Sequence, residues 1–248
     1  MLTGFLVLAA LAGSTQQSSN PVHYRVTLKS DRHIDSTAAG EEARGGAYSV
    51  VAYMTATMTS DASQRMGHVI VDSVRCSGTG LMSMAFDSVV GPRSRGTRFD
   101  FPIGARSSVI PTPSISNSLT NTLAQTALML FPTMAADLQV GVTWADSLDT
   151  SPMSDVPAKS RPIVTRWKVT AAGADTVAAE GDVRGSLTFS GRVLSTGLIT
   201  GTRHIAVSGG VLRWQSSTTR QETLMVGDGA STVTAGSGTT TVQIVVVQ

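Results

Sequence analysis

Cysteine is almost missing from this sequence, since Cys76 is the only one in 248 residues. One thiol cannot form an intramolecular disulfide or a cysteine-based zinc cluster, because both need more than one. We interpret Cys76 as a small core residue rather than as a nucleophile.

Charge is also scarce. Charged residues make up 15% of the chain and the formal net charge is +2, whereas an ordinary soluble domain carries about 25% charged residues. Ser and Thr are abundant instead, and Thr suits strands that have one wet face. The densest basic cluster, Pro92–Arg98, holds three arginines and is interpreted as a solvated turn. We predict no nucleic-acid partner, because such binding needs a broad basic face.

The familiar catalytic motifs are missing as well. The chain has no G-x-S-x-G, no G-x-x-x-x-G-K-[ST] and no H-E-x-x-H sequence. Its four histidines, His23, His33, His68 and His204, show no ligand-like spacing. We therefore predict no metal site, no cofactor and no catalytic residue.

Two acids in the stretch Trp144–Asp149 leave an enzymatic alternative open. Asp146 and Asp149 could act as acid and base or hold Ca²⁺. The other interpretation is a turn after a short strand, in which both carboxylates cap backbone amides.

Long apolar runs are absent except at the start, where Gly4–Ala12 carries no charge. This run is far shorter than the ~20 residues that span a bilayer, so we predict no integral membrane span. Ala10-Leu11-Ala12 fits the pattern before a signal-peptidase cut. Residues 1–12 are therefore predicted to be a signal peptide and residues 13–22 a flexible segment. The protein is expected to be exported, to the periplasm or beyond.

A lipid anchor is not expected, because Ser14 stands where a lipoprotein signal has its cysteine. The start carries no Lys or Arg before the apolar run, so two other interpretations stay open. The run could be an apolar first helix of the fold, or the true start could lie upstream of Met1.

Most of the chain after residue 23 alternates between apolar and polar residues, which is typical of half-buried strands. Clear examples are His23–Lys29, Ala47–Thr59 and Pro162–Thr170, with a loop predicted over Ser30–Gly46. The Gly209-Gly210 turn predicts a hairpin that pairs Ser208 with Val211, Val207 with Leu212, and Ile205 with Trp214.

One segment has a helical period instead. Between Ser114 and Phe131, apolar residues recur at intervals of three and four, with Ser114 as N-cap and Pro132 after the last turn. The Pro-rich segment 147–162 joins two halves of one β-rich domain, residues 23–248. We predict a mainly β fold, a strongly curved antiparallel sheet or half-barrel with the helix on its concave face.

The stretch Leu130–Thr150 resembles the FP-x-[LM]…GxxW segment of uncharacterised exported β-rich bacterial proteins. The matching residues are Phe131, Pro132, Met134, Gly141 and Trp144, while Val142 replaces the usual acid. The layout is also similar to the unclosed β-barrel of bacterial lipoprotein carriers. That resemblance implies an apolar cavity enclosed by a curved sheet and helices.

The leading hypothesis is an exported, non-catalytic half-barrel that binds a hydrophobic ligand, a lipid or lipoprotein, or a hydrophobic partner. The candidate ligand-binding residues are Met54, Met58, Leu119, Leu123, Leu130, Trp144 and Trp167. One alternative is a structural or cell-surface interaction domain with these residues in a packed core. The other is a hydrolase or metal-dependent enzyme that uses Asp146 and Asp149. A continuous apolar cavity of at least ~300 Å³ favours the binding hypothesis over the packed core.

Overall fold

A computed structural model describes residues 17–36, 44–60, 64–78, 91–104, 107–109, 118–135, 138–149, 161–189, 194–209, 211–226 and 233–247. The predicted signal peptide, residues 1–12, lies outside the described residues. The strands are β1 (Gln17–Ser18), β2 (Val22–Ser36), β3 (Arg44–Ser60), β4 (Arg65–Gly78), β5 (Arg98–Pro102), β6 (Ser107–Val109), β7 (Thr143–Asp149), β8 (Arg161–Ala172), β9 (Val177–Phe189), β10 (Leu194–Ser208), β11 (Val211–Val226) and β12 (Val233–Val247). The helices are α1 (Gly91–Ser94) and α2 (Ser118–Met129).

The strands form one sheet in the order β5-β4-β3-β2-β12-β11-β10-β9-β8-β7-β6. Neighbours from β5 to β7 pair antiparallel, whereas β6 pairs parallel with β7. The short β1 adds to β3 outside this path. The prediction of a mainly β fold with an antiparallel sheet is therefore confirmed.

The two edges of the sheet lie near each other, because the edge strands β5 and β6 follow one another directly in the chain. β5 ends one edge at Pro102, and β6 begins the opposite edge at Ser107. The five chain steps between these residues span at most about 18 Å. The sheet must therefore curve until its edges nearly meet, which gives the unclosed half-barrel that the sequence predicted.

The core lies between the concave face of the sheet and α2. On β2 and β3 the predicted alternation is confirmed, since Tyr24, Val26 and Leu28 point inward, as do Val50, Ala52, Met54 and Ala56. α2 contributes Leu119, Leu123, Ala124 and Ala127 to the same buried cluster. From residue 119 to 129 each side chain of α2 is at least partly buried, so the helix lies inside the half-barrel.

The segment after α2 contacts the edge strand β5 on one side and β7, the neighbour of the opposite edge strand β6, on the other. Phe131 packs edge to face on Phe101 of β5, with the ring centroids 5.7 Å apart. Gly67 of β4 leaves room for this contact, because a Cβ there would lie 3.0 Å from both rings. On the other side, the indole Nε1 of Trp144 in β7 donates a 2.8 Å hydrogen bond to the carbonyl oxygen of Thr133. Residues 131–133 therefore form a seam between the two edges.

The hairpin of β10 and β11 differs from its prediction at one residue. Ser208 pairs with Val211 and Val207 with Leu212 as predicted, but the register then shifts. Ala206 pairs with Trp214 and Ile205 with Gln215, so Arg213 is an extra residue in β11. The predicted pair of Ile205 with Trp214 is therefore wrong, because a β-bulge moves every following side chain to the opposite face.

Two predicted connections are also shorter than expected. β2 continues to Ser36 and β3 begins at Arg44, so strand covers much of the predicted loop Ser30–Gly46. The polar residues of this region form backbone hydrogen bonds with β12 as readily as apolar ones would. Likewise β7 and β8 extend into the ends of the segment 147–162.

Candidate ligand-binding site

A polar patch lies on the concave face beneath the C-terminal end of α2. It is built on a row of residues that pair directly across adjacent strands. From β7 to β11 this row reads Trp144, Trp167, Gly181, Arg203 and Ser217. Paired residues share one face of a sheet, so all five lie on the inner face.

The two tryptophans form one wall of the patch. Their rings are stacked, with centroids 5.8 Å apart and an interplanar angle of 14°. Trp167 is 4% exposed, and its Nε1 donates a 3.0 Å hydrogen bond to Oδ2 of Asp146. Since the Trp144 indole N–H is held by Thr133, both buried donors have partners and both rings are fixed in place.

Gly181 makes this arrangement possible. A Cβ at this position would lie 2.6 Å from Cγ2 of Thr165 and 2.7 Å from Cε3 of Trp167. Real side chains do not approach so closely. The missing side chain therefore lets Trp167 lie across β9, toward Arg203 in the cross-strand row.

Asp146 lies within β7, opposite Thr165, with its side chain on the inner face. The prediction of a capping turn over Trp144–Asp149 is therefore wrong at Asp146, because pairing with β8 extends the strand to Asp149. Desolvation by burial raises the pKa of Asp146. Hydrogen bonds from Trp167 and Thr165 and the charge of Arg203 lower it in part.

Arg203 is the unusual residue of the patch. Its Nε is buried and has no hydrogen-bond partner. In the part of the chain that the structure describes, no carboxylate lies within 4.0 Å of its guanidinium. Burial lowers the pKa of Arg203, and the nearby charge of Asp146 opposes this. Because an arginine side chain stays protonated in proteins, the patch holds a cation without an ion-pair partner.

The floor of the patch next to Arg203 is polar too. Gln215, which the bulge at Arg213 turns inward, is 2% exposed, and Ser217 is 4% exposed. The amide Nε2 of Gln215 donates to Sδ of Met129 on α2 at 3.2 Å. A thioether sulfur is a weak acceptor, so this hydrogen bond holds α2 only loosely to the floor.

A cavity of about 60 Å³ separates the end of α2 from this floor. Arg203, Asp146, Thr165 and Gln215 line it on the sheet side, and Leu128, Met129 and Phe131 line it on the helix side. It is well below the ~300 Å³ of ordinary ligand pockets. A larger groove of about 530 Å³ lies on the opposite, outer face, between Leu198, Leu224 and Glu222. Among the described residues, the space between α2 and the sheet is therefore too small for an ordinary ligand and favours the packed core.

The structure brings only some of the candidate ligand-binding residues to the patch. Trp144 and Trp167 belong to it. Met54, Leu119, Leu123 and Leu130 are fully buried in the apolar core and do not line the cavity. Met58 is partly buried, and its Sδ accepts a 2.9 Å hydrogen bond from Nη2 of Arg65.

Arg203 and Gln215, two nitrogen donors that line the cavity from the sheet side, were not predicted from the sequence. Arg203 alternates with Ile199, Ile205 and Val207 along β10, and this period-two pattern places it on the buried face. Gln215 carries no comparable signal, because only the bulge turns it inward.

The enzymatic alternative finds no support in the arrangement of acids. Asp149 is the last residue of β7. Among the described residues no group of three His, Cys, Asp or Glu side chains is placed to hold a metal ion.

Comparison with known proteins adds no assignment. No protein-family model matches the sequence, and no curated protein matches it. Among the helices that the structure describes, none has the length and apolar character needed to cross a membrane.

Proposed function

We propose that this protein is a non-catalytic half-barrel that binds a hydrophobic ligand between α2 and the concave face of its sheet. The observation that carries the proposal is the polar patch around Arg203. Arg203 is partly buried and its Nε has no hydrogen-bond partner. A buried donor without a partner costs about 1–3 kcal/mol, so a core with a purely structural role would favour an apolar side chain there. A charge kept beside a cavity is better explained by a ligand.

α2 is the element that makes room for such a ligand. Its sequence SLTNTLAQTALM carries no charge, so no ion pair ties it to the sheet. Its last turn meets the floor through the cavity and the weak Gln215–Met129 hydrogen bond. Since about 60 Å³ cannot hold a lipid chain, binding requires α2 to move away from the floor.

The uncharged dye Nile red tests this proposal, because it fluoresces in apolar surroundings and needs no anionic site. The full chain is titrated with the dye, and energy transfer from tryptophan is recorded. Trp214→Phe is the matched variant, because Trp214 lies on the outer face and is 41% exposed. Saturable transfer at micromolar dye that survives in this variant supports an interior site. The proposed interior site is contradicted if the energy transfer is lost in Trp214→Phe, or if the protein binds no Nile red.

The proposed place of action is outside the cytoplasm. This rests on the signal-like residues 1–12 and on no other part of the chain. Fractionation of cells that express the full chain, with detection by a C-terminal tag, tests it. A tagged protein that keeps residues 1–12 and stays in the cytoplasm would contradict export.

A structural or cell-surface interaction domain is the second candidate, and the tight interior favours it. Leu119, Leu123 and Leu130 of the helix segment fill the concave face. The outer face also exposes Leu198 and Leu224 beside a groove. This candidate predicts that the Nile red titration gives no interior site.

A further inference from the structure

We infer that the ligand is an amphiphile whose anionic group, a carboxylate or a phosphate, binds the guanidinium of Arg203 inside the half-barrel. The inference rests on the proposed function for the hydrophobic part of the ligand. What it adds is the sign of the charge and the residue that recognises it.

The surroundings of Arg203 leave it available to an anion. Its neighbours in the cross-strand row are Gly181, which has no side chain, and Ser217, which has a short one. Arg203 lines the cavity, and its buried Nε has no hydrogen-bond partner. Arginine offers a planar fork of donors that fits two oxygens of one carboxylate or phosphate.

Asp146 does not fill this role. Its Oδ2 accepts the indole hydrogen bond of Trp167, and its carboxylate lies more than 4.0 Å from the guanidinium of Arg203. Burial raises the pKa of its carboxyl, which means that the charge of Arg203 does not offset the desolvation of the pair. Asp146 therefore leaves the Nε donor of Arg203 to a ligand oxygen.

A second donor points to the same place. The Gln215 side chain lines the cavity, and its Nε2 donates only to the sulfur of Met129. A carboxylate or phosphate oxygen is a much stronger acceptor than a thioether. An anion at Arg203 would take over this hydrogen bond and so release the end of α2 from the floor.

The two walls of the cavity explain why the ligand is amphipathic. The sheet side supplies the cation and the amide, whereas α2 and the residues after it supply Leu128, Met129 and Phe131. A volume of about 60 Å³ holds about four water-sized groups at roughly 15 Å³ each. That suits a head group, while the attached chain must lie along the apolar side that α2 now covers.

Calorimetric titration of the full chain with ligands of one chain length tests the inference. The ligands are decanoate, decyl phosphate, 1-decanol and decyltrimethylammonium, each below its micellar concentration, with acetate and inorganic phosphate as chain-free anions. We expect one or both anionic amphiphiles to bind at least about tenfold more tightly than decanol. In Arg203→Gln this preference should vanish while decanol binding stays within about twofold, and Arg203→Lys should keep part of it.

The matched control is Arg184→Gln, because Arg184 is exposed and pairs with Asp182; it should leave every affinity unchanged. Thermal unfolding confirms that each variant is folded. Equal affinity for decanol and the anionic amphiphiles, or a preference that survives Arg203→Gln, would overturn the inference and leave the proposed function standing. No binding of any decyl ligand would overturn both. If acetate or inorganic phosphate bound as tightly as the matching decyl ligand, the apolar chain would contribute nothing to affinity. That result would overturn the inference that the ligand is an amphiphile.

Discussion

The indole Nε1 of Trp167 donates a 3.0 Å hydrogen bond to Oδ2 of Asp146 inside the half-barrel. This hydrogen bond turns the carboxyl toward the tryptophan rather than toward Arg203. The two charged side chains of the patch therefore share a cavity without forming an ion pair.

Replacing Arg203 by Met should stabilise the ligand-free protein by about 1–3 kcal/mol, since an apolar side chain of similar length removes a partly buried cation whose Nε has no hydrogen-bond partner. Urea unfolding at neutral pH measures the change. Arg184→Met is the control, because its ion pair is exposed and should contribute less than about 1 kcal/mol. A loss of stability in Arg203→Met would mean that the guanidinium has a structural role.

Asp146→Asn should make the protein less sensitive to pH. The pKa of Asp146 is raised above 3.8 in the folded state, so the folded protein holds this proton more tightly than the unfolded chain does. As pH rises from 3.8 through the raised pKa, the wild type should lose stability relative to Asp146→Asn. The slope cannot exceed about 1.4 kcal/mol per pH unit for one proton. Unfolding measured across this range tests the sign, and a wild type that gains stability there contradicts it.

Gly181→Ala should destabilise the protein by about 1–3 kcal/mol, because the new methyl group overlaps Thr165 and Trp167. The near-ultraviolet circular dichroism of the stacked tryptophans should weaken as Trp167 is displaced. Gly173→Ala in the same hairpin is the matched control, since its Cβ would meet nothing nearer than 3.5 Å. Equal effects at the two glycines would show that the overlap at Gly181 is relieved without strain.

Trp144→Phe should weaken the seam between the sheet edges. The change leaves the carbonyl oxygen of Thr133 without its indole donor, at a cost of about 1–2 kcal/mol. Hydrogen exchange should then speed up in residues 131–135 and in β7. Trp214→Phe serves as the comparison, because this ring lies on the outer face. Exchange unchanged in residues 131–135 would show that the hydrogen bond does not hold the seam.

The period-two pattern predicted the strands and their inner faces, as Tyr24, Val26 and Leu28 show. Apolar residues at intervals of three and four predicted the helix within Ser114–Phe131, where the structure has α2 at Ser118–Met129. Hydrophobic periodicity succeeded here because burial on one face determines which residues alternate.

The residues of the patch were harder to predict. Arg203 occupies the same alternating positions as the buried residues of β10. A charged residue is normally expected to face solvent, so only its apolar neighbours at positions 199, 205 and 207 indicate that it points inward. The inward orientation of Gln215 could not be predicted, because the sequence gives no sign of the bulge at Arg213. Without that bulge, Trp214 would face the core instead. The seam forms because Phe131 contacts β5 and Thr133 contacts β7. These strands come close together only because the whole sheet curves, which the sequence pattern does not show.

The most direct test of the account is hydrogen exchange of α2, residues 118–129, with and without decanoate at a concentration that saturates binding in calorimetry. We expect these amides to exchange faster in the complex, because the ligand takes the place of the helix on the concave face. We also expect β8 and β10 to stay as protected as before. Unchanged exchange in α2 at saturation, or no saturable binding of any decyl ligand, would contradict the claim that the ligand enters between α2 and the sheet.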